Sequence, residues 1–256
     1  MNLRIGFIGT GQFARFLTAA LVRDRAAPSI ILPPRNAAIA AELAVAHDAR
    51  VAKSNAAVVD ASDIVLLTTR AEHGVAPVEG LPWRADQTAV SLVGGLALAD
   101  LAAAVAPATA VKAMTSYAAA QVPCPFLIYP ENPAARVLGE RFGAVHALAD
   151  ERAFEAAAAM PVFFALLLNL LGEGEGWCVD HGVSPEIARA QTLAGLRGLA
   201  ALAEETGGGA LAPLLTGMAT PGGLTEGGLD DLRRHDSMAP WRAAMDRILA
   251  RALGEK

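Results

Sequence analysis

Ile5-Gly6-Phe7-Ile8-Gly9-Thr10-Gly11-Gln12-Phe13-Ala14 decides the fold of this 256-residue chain. Ile5, Phe7 and Ile8 form a short apolar run that predicts a buried strand. The run breaks at Gly9-Thr10-Gly11, and Gln12 to Leu17 can start a helix. Strand, glycine turn and helix in that order make a dinucleotide-binding unit. Gly9 makes the tight turn, Gly11 lets the backbone approach a pyrophosphate, and Ala14 takes the third small position where helix packs on strand. The diphosphate then rests on amides at the helix N-terminus, where unpaired N–H groups and the helix dipole both favour an anion.

Outward from this unit, the helix from Gln12 is expected to run to Arg25, and Ser29-Ile30-Ile31-Leu32 follows as a second strand. An Asp or Glu at the end of that strand would hold the ribose of NAD, whereas a basic residue accommodates the extra phosphate of NADP. Here the chain reads Pro33-Pro34-Arg35-Asn36, with no carboxylate. The expected cofactor is therefore NADPH, with Arg35 and Asn36 on its phosphate. Ile64 to Thr68 is a buried strand, and the loop after it lies at a carboxyl end, where open α/β sheets bind ligands. Thr68 and Thr69 are assigned there to the cofactor, together with Gly9, Thr10, Gly11, Gln12 and Phe13. Met114, at the end of a later strand, is assigned with them, although Met114 and Phe13 also suit a core.

Strand signals at 88–93, 110–114, 126–129 and 144–148 alternate with helix-prone segments, which implies a doubly wound, mostly parallel sheet over residues 1–150. Beyond Asp150 the strand signals vanish. Residues 151–256 read as an all-helical domain, with one long helix from Glu151 to Leu171 bent at Pro161 and a capped helix start at Ser184-Pro185-Glu186.

Composition narrows the function. Apolar residues make up 54% and the net charge is −5, with no Lys/Arg run of the kind nucleic acid requires. Two cysteines, Cys124 and Cys178, have no metal or disulfide spacing, and no metal site is expected. The N-terminus carries no basic leader, so the expected location is cytoplasmic. The apolar stretch at 153–171 includes Glu155, Pro161 and Asn169 and is read as a buried or interface helix, not a membrane span.

The second motif is Thr220-Pro221-Gly222-Gly223-Leu224-Thr225. Paired glycines after a proline and before a helix free amides for an anion such as a carboxylate. With this motif the chain resembles the pyrroline-5-carboxylate reductase family, which opens on G-F-I-G-x-G, matched by Gly6 to Gly11, and closes on [ST]-P-G-G-T-T. Gly182 to Thr192 is similar to the helix start between them. The resemblance implies a Rossmann domain followed by a helical dimerisation domain, a homodimer or higher homo-oligomer, and NADPH-dependent reduction of a cyclic imine such as pyrroline-5-carboxylate. It places Thr225 on the imine nitrogen as the catalytic hydroxyl, and Thr220, Gly222 and Gly223 on the substrate carboxylate.

The chain departs from the family at Thr69 to Glu72, Thr115 to Ala118, Met160 to Ala165 and Leu224. A larger or more apolar imine, another substrate, or a non-catalytic protein that binds NADP(H) and dimerises are the alternatives these departures leave open. A β-hydroxy-acid dehydrogenase is disfavoured, because residues 150–255 contain no lysine to serve as its acid/base.

Overall fold

The computed structural model describes residues 3–23 and 27–255. It divides into two compact units, Met1–Pro161 with Ile248–Lys256, and Val162–Arg247. The first is built on an eight-stranded sheet: β1 (Arg4–Ile8), β2 (Ser29–Leu32), β3 (Arg50–Val51), β4 (Ile64–Leu67), β5 (Thr88–Ser91), β6 (Thr109–Met114), β7 (Phe126–Tyr129) and β8 (Val145–Ala147). Their order in space is β3-β2-β1-β4-β5-β6-β7-β8, and every pair is parallel except β6 with β7. The mostly parallel, doubly wound sheet expected from the alternation is therefore present.

Both faces of the central strands are buried, as an open parallel sheet requires. Ile64 and Leu66 of β4 pack on one side with Leu17 and Leu21 of α1 (Gln12–Leu21). Val65 and Leu67 pack on the other with Val59 of α3 (Asn55–Ala61) and Leu101 and Val105 of α4 (Leu98–Val105). The chain also forms α2 (Ala37–His47) and α5 (Pro133–Gly139), whose Leu43 and Leu138 join the same core as α1. The helix α5 had no counterpart in the sequence reading. Its start is nonetheless written there: Asn132 Oδ1 accepts from Ala135 N at 2.9 Å, with Pro133 as the first helical residue. The expected end of α1 at Arg25 lies outside the described residues; the observed helix stops at Leu21.

The long helix expected from Glu151 is two helices, α6 (Glu151–Ala158) and α7 (Met160–Asp180). The break falls at Ala159, ahead of Pro161. Proline has no N–H for the carbonyl four residues back, so the ladder fails one turn before it. The glycines at 172, 174 and 176 do not end α7, which continues to Asp180. Although α6 lies past the change of composition at Asp150, it belongs with the first unit, because its Glu151 and Glu155 reach a cation on β6.

The second unit is helical throughout, with α8 (Pro185–Glu205), α9 (Ala212–Met218), α10 (Leu224–Arg234) and most of α7 and α11 (Ala239–Ala252). Phe163 meets Trp241 edge-on at 5.8 Å, and Arg189 pairs with Glu175 at 2.7 Å. Among its described residues only Ala188 is fully buried, while Phe164, Leu168 and Trp177 are more than half exposed. Such a unit buries too little apolar surface within one chain to offset the entropy of ordering it.

By length and hydropathy Glu151–Asp180 could cross a membrane. Its first turns, however, are tied by ion pairs to the sheet, and Asn169, Glu173 and Glu175 interrupt its apolar face.

Candidate functional site

The site lies where the sheet changes direction. From β1 the chain steps outward one way to β2 and β3, then crosses to the other side for β4, β5 and β6, leaving a crevice at the carboxyl ends of β1 and β4. Gly9 and Thr68 face each other across it. Thr68 Oγ1 donates to the Gly9 carbonyl at 2.8 Å, and Thr68 N donates to the Ile8 carbonyl at 2.9 Å. Gly9 has φ +109°, and a Cβ there would stand 2.8 Å from the carbonyl carbon and oxygen of Thr68. Glycine is required twice over, by the positive φ and by the approach of the β4 backbone.

Gly11 caps α1 with no side-chain bond, and the first turn carries no acidic residue. By contrast α3, α5, α6 and α8 are capped by the side chains of Ser54, Asn132, Asp150 and Ser184. A Cβ built on Gly11 would meet nothing within 4 Å. The α1 terminus thus presents unpaired N–H groups to open space, with the dipole favouring an anion. Gln12 and Phe13 supply the next amides. The Gln12 side chain accepts from Arg15 at 3.0 Å, and Phe13 stacks edge-on against Tyr117 at 5.0 Å.

Arg35 and Asn36 follow β2 beside this turn and do different things. Asn36 sits in the left-handed region, φ 61°, and donates through Nδ2 to the Thr10 carbonyl at 2.8 Å. In return the buried Thr10 hydroxyl donates to the Arg35 carbonyl. This reciprocal clamp fixes the loop after β2 against the glycine turn. It engages the Thr10 hydroxyl and the Asn36 amide nitrogen, both assigned to the cofactor from sequence. Arg35 is left with an exposed guanidinium that has no partner among the described residues. Nothing in the residue pattern signals the clamp, since it depends on the turn geometry.

Thr68 and Thr69 are half-buried at the end of β4, and Met114 is half-buried at the end of β6. Of these only Thr68 bonds to the glycine turn. The loop after β6, one of the departures from the family pattern, folds back on α1. Tyr117 lies 5.4 Å from Phe16 as well as 5.0 Å from Phe13, and Arg23 donates to the Ala119 carbonyl at 2.8 Å.

The motif at 220–225 belongs to the second unit and is described on its own. Thr220 to Gly223 form a type II turn: Gly223 N donates to the Thr220 carbonyl at 2.9 Å, Pro221 takes the second position and Gly222 the third, with φ +72°. Gly223 caps α10, and Thr225 is its second residue, not its cap. The exposed Thr225 hydroxyl makes no bond within the described residues. The amide of Gly222 donates to Glu226 Oε2 at 2.7 Å, a contact the sequence reading missed. Its signal was the capping-box spacing from Gly223 to Glu226.

Residues 151–254 match the family described as pyrroline-5-carboxylate reductase dimerisation. Over those residues the chain is similar to the pyrroline-5-carboxylate reductase family. Residues 4–95 match a second description, NADP oxidoreductase coenzyme F420-dependent. No curated protein matches the sequence at a significant level. Among solved structures, the chain resembles the Plasmodium falciparum pyrroline carboxylate reductase with NADP bound, at 16% identity and TM-score 0.85, covering 99% of this chain and 98% of that one. It resembles the 1-pyrroline-5-carboxylate reductase of Streptococcus pyogenes at 19% identity and TM-score 0.83, covering 99% of each. An imine reductase from Pseudomonas sp. follows at 16% and 0.61, covering 99% of this chain and 95% of that one. At these identities the likeness establishes the fold. The exposed apolar faces of α7 and α8 lie inside the matched dimerisation domain, which accounts for their lack of cover within one chain.

Proposed function

We propose that this protein is an NADPH-dependent reductase of a cyclic imine, acting as a homodimer whose second copy covers the apolar helices. The observation that carries the reading is the uncapped α1 terminus at the sheet crevice, flanked by Arg35, which has no partner among the described residues, with no carboxylate in the loop after β2. That donor set fits a dinucleotide with an extra phosphate. Gly9, Gly11, Gln12 and Phe13 would hold the pyrophosphate through backbone amides, and Arg35 the 2'-phosphate. Thr68, Thr69 and Met114 would border the nicotinamide side, with Thr10 and Asn36 as the clamp that holds the loops in place. The nicotinamide, when bound, supplies the hydride that adds to the C=N carbon.

The chain's own task is then on the nitrogen. A neutral imine accepts hydride poorly, so charge arriving on nitrogen must be met by a proton or a strong hydrogen bond. Thr225 offers a hydroxyl that is engaged with nothing else among the described residues, and Thr220, Gly222 and Gly223 would contact the rest of the substrate. The balance is one imine, one NADPH and one proton giving one secondary amine and one NADP+.

NADPH oxidation against a panel of cyclic imines tests this reading. Tight NADPH binding with no turnover of any imine would overturn it in favour of a binding protein. Thr225→Ala should lower kcat/KM by roughly tenfold to a hundredfold, the scale of one charge-assisted hydrogen bond; an unchanged rate removes Thr225 from the mechanism. Arg35→Ala should raise the Kd for NADPH at least about tenfold more than that for NADH, since a charged hydrogen-bonded contact is lost only with the phosphate. Fluorescence titration with both cofactors would measure it, and equal weakening would point to the loop and not the phosphate.

A further inference from the structure

Two amides of the turn at 220–223 already have acceptors. Gly223 N is taken by the Thr220 carbonyl at 2.9 Å, and Gly222 N by Glu226 Oε2 at 2.7 Å. The group on Gly222 is itself a carboxylate, half-buried in the first turn of α10. A substrate carboxylate brought to this turn would compete with Glu226 for the amide and meet its charge at contact distance. The arginines of α10 do not relieve this, because Arg233 and Arg234 pair with Asp230 and Asp231 in its last turn. Beside the turn Leu224 is 98% exposed and presents an apolar side chain with no donor.

We propose that the substrate is a cyclic imine with no carboxylate next to the C=N group, neutral or basic in its remaining substituents, and that Glu226 is the residue that sets this preference. The inference rests on the reading of Thr220 to Thr225 as the substrate side of an imine reductase. Glu226 takes the place on Gly222 that a substrate anion would need, and Leu224 offers apolar contact to a hydrocarbon ring. Discrimination comes mainly from repulsion: a ring without a carboxylate loses nothing at Glu226, whereas one with it must displace or neutralise that side chain.

The test compares 1-pyrroline with pyrroline-5-carboxylate, using the full chain and NADPH. The wild type should show kcat/KM for 1-pyrroline at least tenfold above that for the carboxylated ring. Glu226→Gln keeps an acceptor for the Gly222 amide but removes the charge, and should shift the ratio at least tenfold toward the carboxylated ring. A purely capping role for Glu226 would leave the ratio where it was and overturn the assignment of that residue. A second measurement needs no variant: pyrrolidine should inhibit the wild type at lower concentration than L-proline, and the reverse order would count against the proposal. Preference for the carboxylated imine overturns the inference alone and leaves the reductase reading standing. Turnover of neither ring, nor of any other imine, overturns both.

Discussion

Gly9→Ala should abolish measurable NADPH binding and destabilise the protein by about 3 kcal/mol, since a strained left-handed backbone and an overpacked contact each cost about 1 to 3 kcal/mol. The new Cβ meets backbone, not a flexible side-chain tip: the carbonyl of Thr68 and the amide of Thr69 lie within 2.9 Å of it. Relief requires β1 and β4 to move apart at their carboxyl ends, which breaks the bond from Thr68 Oγ1 to the Gly9 carbonyl and carries the α1 terminus with it. A displacement of about 1 Å at a positioned site costs on the order of a hundredfold in its function. Calorimetry should show a melting temperature lowered by roughly 6 to 12 °C at fixed protein concentration. Gly11→Ala is the control. Its φ of −100° suits alanine and its Cβ would touch no protein atom, so melting should stay within a degree or two of wild type, while NADPH binding weakens because the methyl occupies the space over the helix terminus. If both variants bind NADPH as the wild type does, the crevice is not the cofactor site.

Lys112→Met is expected to cost about 3 to 5 kcal/mol, the scale of removing one partner from a buried ion pair. Lys112 sits in β6, only 2% exposed, between two carboxylates of α6. It donates to Glu151 Oε1 at 2.6 Å and lies within ion-pair distance of Glu155, itself 3% exposed, with the ring of Phe154 5.5 Å away. The Leu98 amide, at the start of α4, adds a 2.9 Å bond to Glu151. Burial by itself would push the Glu151 carboxyl up; the Lys112 ammonium and the Leu98 amide outweigh it and hold the group below the usual carboxylate range.

The sign for stability follows. Because the folded-state value is depressed, the contribution of Glu151 is complete above the ordinary carboxylate range and is lost as pH falls through the lowered value. In Lys112→Met the ammonium is gone and only the Leu98 amide still opposes burial, so the Glu151 carboxyl moves up and stability should instead rise as the pH is lowered from 7 toward about 5. Urea titrations at several pH values would show this reversal. Lys112→Met with Glu155→Leu should recover much of the loss, since a buried pair exchanged for apolar side chains is often neutral. A double variant no better than the single one would show that Lys112 acts through packing and not charge.

These residues divide what was legible in the chain from what was not. The opening strand, turn and helix could be read from Ile5 to Ala14, because backbone conformation there is dictated locally by apolar alternation and glycine. The strands expected at 29–32, 64–68, 88–93 and 110–114 were legible for the same reason. Gly9 and Gly11 look alike in the motif, yet only the approach of Thr68 makes Gly9 irreplaceable for folding. The absence of a carboxylate after β2 pointed to Arg35. The left-handed turn at Asn36 and the exchange of bonds with Thr10 could not be seen, because they join residues 26 positions apart through geometry that no spacing encodes. Glu226 was visible as a helix-start acid but was not read as an occupant of the glycine turn.

By itself the sequence determined the order of elements, the dinucleotide turn, the switch to an all-helical second half and the resemblance to pyrroline-5-carboxylate reductases. Periodicity, capping residues and glycine placement are local properties, and they survive in a linear string. Tertiary structure alone decided that α6 is tied to the sheet by Lys112, that Gly222 is taken while Thr225 has no partner among the described residues, and that the helical unit leaves its apolar side chains uncovered. Each of these depends on which distant groups meet and on how much water they exclude. Those quantities are set when the chain packs, not when its residues are ordered.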